Sequence, residues 1–200
     1  VPPTIAAMSA CAPGADFWSI ELHGGLFSAT NARSSSPTVG MRYCKHFSSD
    51  LQGGMLTGWT LKKEKVEESV NGPPGLDPRV VVAEAEASLV PVMGFLQVNL
   101  TERHWLVPFV GIGAGYERLV LSAKDHSTGV RSSETYNNLA WEAFGGVGLR
   151  LSSEVRVNGE LFYNGGSLER GLVDSNGDHW RQAVDVDGVG LRVGMDFVFE

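Results

Sequence analysis

Eight charged residues recur inside otherwise apolar stretches, each on the phase opposite the apolar residues of its stretch: Glu21, Arg42, Glu142, Arg150, Arg156, Glu160, Arg192 and Asp196. In a strand, residues two apart share one face. Acids and bases on such a face meet as ion pairs, because a buried charge left unpaired costs several kcal/mol. The other chemistry-bearing groups are sparser. Asp125-His126-Ser127 supplies the residue types of a hydrolytic triad, but consecutively, so that neighbours point to opposite faces and no triad geometry assembles. Asp174, Asn176 and Asp178 have the spacing of calcium-loop oxygen ligands, yet the glycine is Gly177 and no glutamate closes the loop. His23 and His46 stand singly. The expectation is therefore a chain with no catalytic residues, no metal site and no cofactor, hence not an enzyme.

Cys11 and Cys44 are the only cysteines. Cys11 lies just before the first candidate strand and Cys44 near the same end of the second, so a bridge between them and two separate thiols both remain open. Met8-Ser9-Ala10-Cys11 also has the form of a lipoprotein cleavage box, the alternative fate of Cys11.

The elements that carry these residues read as strands. Two-residue alternation runs through 17–28, 38–47, 51–62, 88–100, 106–121, 136–151, 154–164 and 184–199, and no stretch follows a helical period. Most exceed the five or six residues usual in soluble sheets and match the roughly 9–11 needed to cross a bilayer. Short connections (48–50, 101–105, 152–153) alternate with long polar ones (29–37, 63–79, 122–135, 165–183). That is the rhythm of an up-and-down barrel with tight turns on one rim and loops on the other. Residues 1–16 form an arm before it, and 17–199 form the barrel.

Composition agrees. The 200 residues carry a formal net charge of -7, which disfavours nucleic acid as a partner. No run approaches the roughly 18 apolar residues of a membrane helix. A membrane-crossing chain without one is a closed barrel, since only closure pairs every backbone group in lipid. Mean hydropathy near zero, -0.05, is what alternating faces give.

Aromatic residues set the faces. The apolar phase places Trp18, Tyr43, Phe197 and Phe199 at the turn rim, and Trp59, Tyr116, Trp141 and Tyr163 at the loop rim. Two such girdles mark the two membrane interfaces. The apolar phase then faces lipid and the charged phase faces the lumen. Glu21 and Arg42 fall on neighbouring strands, as do Glu160 and Arg192, and closure sets Arg192 beside the strand of Glu21. An eight-stranded lumen is just wide enough for side chains to fill it, so this network is expected to plug it.

The carboxyl end, Arg192-Val193-Gly194-Met195-Asp196-Phe197-Val198-Phe199, resembles the assembly signal of outer-membrane barrels, with Arg192, Gly194, Phe197 and Phe199 at its marked positions and Glu200 beyond the terminal aromatic. The alternating glycines of 108–116 resemble strands common in the same proteins. Over 17–199 the chain resembles the small eight-stranded barrels related to the OmpA transmembrane domain and to OmpW. The resemblance implies an eight-stranded antiparallel up-and-down transmembrane β-barrel in the outer membrane, with both termini periplasmic. It implies as partners outer-membrane lipid and lipopolysaccharide and the barrel-assembly machinery, with the chain a monomer. Three roles follow from it: a structural or surface-interaction barrel, a small passive channel for small or apolar solutes, or, less consistent with the residues, a lipid-modifying enzyme.

Overall fold

A computed structural model of the chain describes residues 17–30, 34–69, 79–101, 105–125, 129–173 and 179–199. Among these residues there are ten strands: β1 (Phe17–Ala29), β2 (Ser36–His46), β3 (Leu51–Ser69), β4 (Arg79–Asn99), β5 (Leu106–Asp125), β6 (Arg131–Arg150), β7 (Val155–Gly165), β8 (Ser167–Val173), β9 (His179–Asp185) and β10 (Gly188–Phe199). Each of β1 to β6 pairs antiparallel with the next, β7 pairs with β10, and β10 returns to β1. Eight strands thus close on themselves, and closure leaves no edge inside the apolar zone.

The pleat explains why this sequence closes this way. From Gly188 to Phe197 every even residue of β10 is buried and every odd one exposed. Leu22 stands in register with Met41 on one side and Met195 on the other, all exposed, while Glu21 stands between Arg42 and Asp196, all buried. A one-residue slip would exchange the two sets. The turn rim is tight: the amides of Phe47 and Ser48 both donate to the carbonyl of Leu51, and those of Leu151 and Ser152 to Val155.

The loop rim departs from the sequence expectation. The link 165–183 is not a simple loop: β8 and β9 form a hairpin across its ends, in register from Ser167↔Asp185 to Val173↔His179. The last barrel strand accordingly starts at Gly188 rather than at 184. The links 63–79 and 122–135 are also partly strand, because β3 with β4 and β5 with β6 continue pairing well past the apolar zone. Lys62, Lys63, Glu64, Glu84 and Glu86 put charge on both faces there, so the alternation that marks a half-buried strand is missing although the backbone ladder continues. The result is a wall, β3 to β6, standing above one side of the barrel, with β8 attached to β6 at Asn137↔Glu169. Cys11 and the 1–16 arm, the Asp174–Asp178 oxygen cluster, His126 and Ser127 lie outside the described residues.

Candidate functional site

All eight charged positions singled out above lie in the barrel, and five of them meet in one cluster. Arg42 on β2 crosses the lumen to Glu160 on β7, donating from Nη1 to Oε2 at 2.6 Å and from Nη2 to Oε1 at 2.9 Å. Its Nη1 is also 3.6 Å from Glu21 and its Nη2 3.8 Å from Glu142. Arg192 on β10 donates from Nε to Glu160 at 2.8 Å and from Nη2 to Glu142 at 2.6 Å, and Nη2 also contacts Glu160. Asn158 donates to the second oxygen of Glu21 at 2.7 Å, and His23 lies 3.6 Å from the first. Arg156 and Asp196 form a second pair at 2.8 Å toward the turn rim. Arg150 is half-buried, in register with Arg156, outside the central cluster.

Two features of this cluster differ from the sequence expectation. Arg192 bridges Glu142 and Glu160, not Glu160 and Glu21; Glu21 is taken by Arg42 instead. The neighbouring-strand pairs expected from the sequence are both present, Arg42 with Glu21 and Arg192 with Glu160; the contacts across the lumen, Arg42 to Glu160 and Arg192 to Glu142, are added by long guanidinium stems in a narrow barrel. The lumen is also not simply polar. Phe95, Phe109 and Phe144 lie below the cluster and Phe27 and Phe162 above it, all buried. Arg42 sits 4.4 Å over the Phe144 ring and Arg192 3.9 Å over Phe162, so the rings receive the faces of both cations. Inward glycines signalled this partly: a methyl on Gly111 would strike Phe144, and one on Gly190 would strike Phe162. Among the described residues, a space of about 30 Å³ lies above the cluster, room for a water or two.

Cys44 points into the lumen, buried beside its register partner Ser19. Outward, Trp18 stacks on Tyr43 at 5.1 Å with Lys45 over the Trp18 ring, next to Phe197 and Phe199 at the turn rim. At the other rim Trp59 donates to Ser88 at 2.7 Å, Tyr116 to Asn137 at 2.6 Å, and Trp141 packs on Tyr163 at 5.5 Å. Among the described residues, no outward position between these two aromatic rows is charged. A surface of this kind, exposing Leu22, Met55, Ile112, Leu161 and Leu191, is soluble only in lipid.

Above the loop-rim aromatics the inner face of the wall holds a cleft of about 400 Å³, bounded by Lys62, Glu64, Ala87, Leu121, Ser132 and Glu134. Sequence reading passed over it, because Glu64, Ser132 and Glu134 fell in segments assigned to loops and the strands beside them were ended at Lys62 and Leu121. Beside it, Glu134 accepts from Tyr136 at 2.8 Å and pairs with Arg170 of β8 at 2.8 Å. These two donors, the Tyr136 hydroxyl foremost, hold the Glu134 carboxyl below its ordinary range. Leu168 and Val186 at the base of the hairpin are buried against the barrel mouth.

Comparison with solved structures agrees with this geometry. The fold matches Ail, the attachment invasion locus protein of Yersinia pestis, in complex with the heparin analogue sucrose octasulfate (TM-score 0.57, 13% identity, 92% of this chain and 99% of that one). It also matches the Escherichia coli outer membrane protein W (0.55, 13%, 92% and 98%) and Neisserial surface protein A (0.54, 12%, 92% and 97%). The chain has the fold of the small outer-membrane β-barrels. It is an eight-stranded antiparallel transmembrane barrel. No family model and no curated protein matches the sequence.

Proposed function

We propose that the chain is an outer-membrane surface barrel that acts through its wall and hairpin, with a lumen closed to solutes and both termini in the periplasm. The observation that carries this reading is the crossing of the lumen by Arg42 and Arg192, whose guanidiniums are held by Glu160 and Glu142. Paired charges packed on phenylalanine rings across a narrow lumen support this reading. The groups available to an external partner are then those beyond the loop-rim aromatics, where β5 continues nine residues past Tyr116, about 30 Å of strand. Ail, crystallised with a heparin analogue, illustrates that a barrel of this fold can present a surface to a polyanionic sugar. Orientation rests on the tight turns lying on one rim and the long links on the other. Nothing in the cluster supplies a nucleophile with its base, so the reading is not enzymatic.

The test is current through planar bilayers holding the folded barrel. The expected result is no steady conductance. A large, steady wild-type conductance would favour a passive channel and overturn the closed-lumen reading.

A further inference from the structure

The lipid-facing surface is apolar between its aromatic rows, so the first charge beyond each row stands out. At the turn rim that charge is Lys45, already seated on Trp18. At the loop rim it is Arg118, two residues past Tyr116 on the outward phase of β5, about 7 Å further along the strand. Its register partners are Val90 and Asn137, neither of them acidic. The outward positions around it are Tyr116, Val120 and Leu139, and Leu139 is 73% exposed. The carboxylate at 117 points the other way, into the lumen, bonded to Asn164. Further out, Glu86 is engaged by Lys63 at 3.2 Å. Among the described residues, then, Arg118 is an exposed guanidinium with no carboxylate partner, framed by apolar side chains.

An arginine on the lipid face is tolerated only near the interface, where its stem lies along apolar surface and its head reaches the polar layer. What it meets at that depth is the headgroup of a lipid. We infer that Arg118 is the centre of a binding site for an anionic lipid headgroup of the outer leaflet, a phosphate ester held bidentately by the guanidinium. The amide of Asn137 and the hydroxyl of Ser88 lie on the same outward face, on the strands either side, and the acyl chains run down over Leu139 and Val92. A planar guanidinium suits a phosphate fork better than an ammonium does. The inference rests on the membrane placement proposed above, with the loop rim outermost.

The experiment titrates the full-length folded barrel, in zwitterionic detergent, with diphosphoryl lipid A, following bound lipid by native mass spectrometry. Wild type should retain lipid A, Arg118→Gln should bind about tenfold more weakly, as loss of a charge-assisted hydrogen-bond pair predicts, and Arg118→Lys should fall between them. Lys63→Gln, whose cation is already paired, should bind as wild type does. Enzymatically dephosphorylated lipid A and inorganic phosphate alone should both bind weakly, since the site needs headgroup charge and acyl chains together. Equal retention by wild type and Arg118→Gln, or equal binding of lipid A with and without its phosphates, would overturn the proposal. Gel mobility before and after boiling is read on every variant. A barrel that remains heat-modifiable yet ignores Arg118 refutes the site alone, whereas loss of heat-modifiability in the wild type refutes the membrane reading beneath it.

Discussion

Replacing Arg42 with methionine should damage the barrel more than any other single change to its lumen. The side chain is 1% exposed, makes two hydrogen bonds to Glu160 and lies within 4 Å of Glu21 and Glu142. In the wild type three carboxylates (Glu21, Glu142, Glu160) face two guanidiniums (Arg42, Arg192). Without Arg42 the same three face Arg192 alone. Methionine keeps the unbranched stem but removes the guanidinium that lies over Phe144, so the loss combines the ion pairs with that ring contact. Removing one partner of a buried pair costs about 3–5 kcal/mol. Coupling Arg42→Met with Glu160→Leu returns the cluster to its original charge balance, two carboxylates facing one guanidinium, and should recover more than half of the loss. Urea unfolding in lipid vesicles, followed by tryptophan fluorescence, measures the stabilities; planar-bilayer recordings of the single variant should show current steps absent from wild type. The reasoning fails if the single variant lies within about 0.5 kcal/mol of wild type, the range of ordinary surface changes. It fails equally if the double variant is no more stable than the single one.

Other consequences are simpler to measure. A closed barrel keeps its ladder in detergent, so unboiled and boiled samples should migrate differently on a gel; identical migration would count against the closed fold. Leu191→Arg, on the lipid face of β10, should lower folded yield in vesicles by an amount matching about 2–4 kcal/mol, whereas Ser133→Arg on the exposed wall should leave it unchanged. Gly190→Leu should block folding or displace Phe162, and the companion change Phe162→Ala should relieve it, as refolding yield of the two variants would show. Glu134 carries a pH dependence of definite sign. Its folded pKa is depressed, so its contribution to holding the hairpin is present above the ordinary carboxyl value and is lost as pH falls through the folded one. Protection of the Glu169 and Arg170 amides relative to their intrinsic exchange rates should therefore fall in acid, and Glu134→Gln should abolish that pH dependence.

Much of the architecture was legible in the chain itself, for a reason specific to this class. A strand with lipid on one face and a filled lumen on the other must alternate at every residue, so the phase of Leu22, Met41 and Met195 against Glu21, Arg42 and Asp196 is written in the sequence. The aromatic rows and the alternation of short and long links follow from the two solvents the barrel meets. The wall was not legible, because above the membrane both faces of β3 to β6 meet water. No periodicity is then imposed on Lys62 to Glu64 or Glu84 to Glu86, while their backbone hydrogen bonds continue.

Inside the barrel the sequence settled which residues face one another but not which touch. Arg42 lies 118 positions from Glu160, on a strand with two others between, and only the curvature of the closed sheet brings them to 2.6 Å. The pleat turns Phe144 and Phe162 inward, and the same curvature sets them against the guanidiniums, in the space that Gly111 and Gly190 leave empty. Alternation is a local property, fixed by the pleat one residue at a time. Contact across a lumen depends on strand number, tilt and stagger together, and those exist only once the eighth strand has closed on the first.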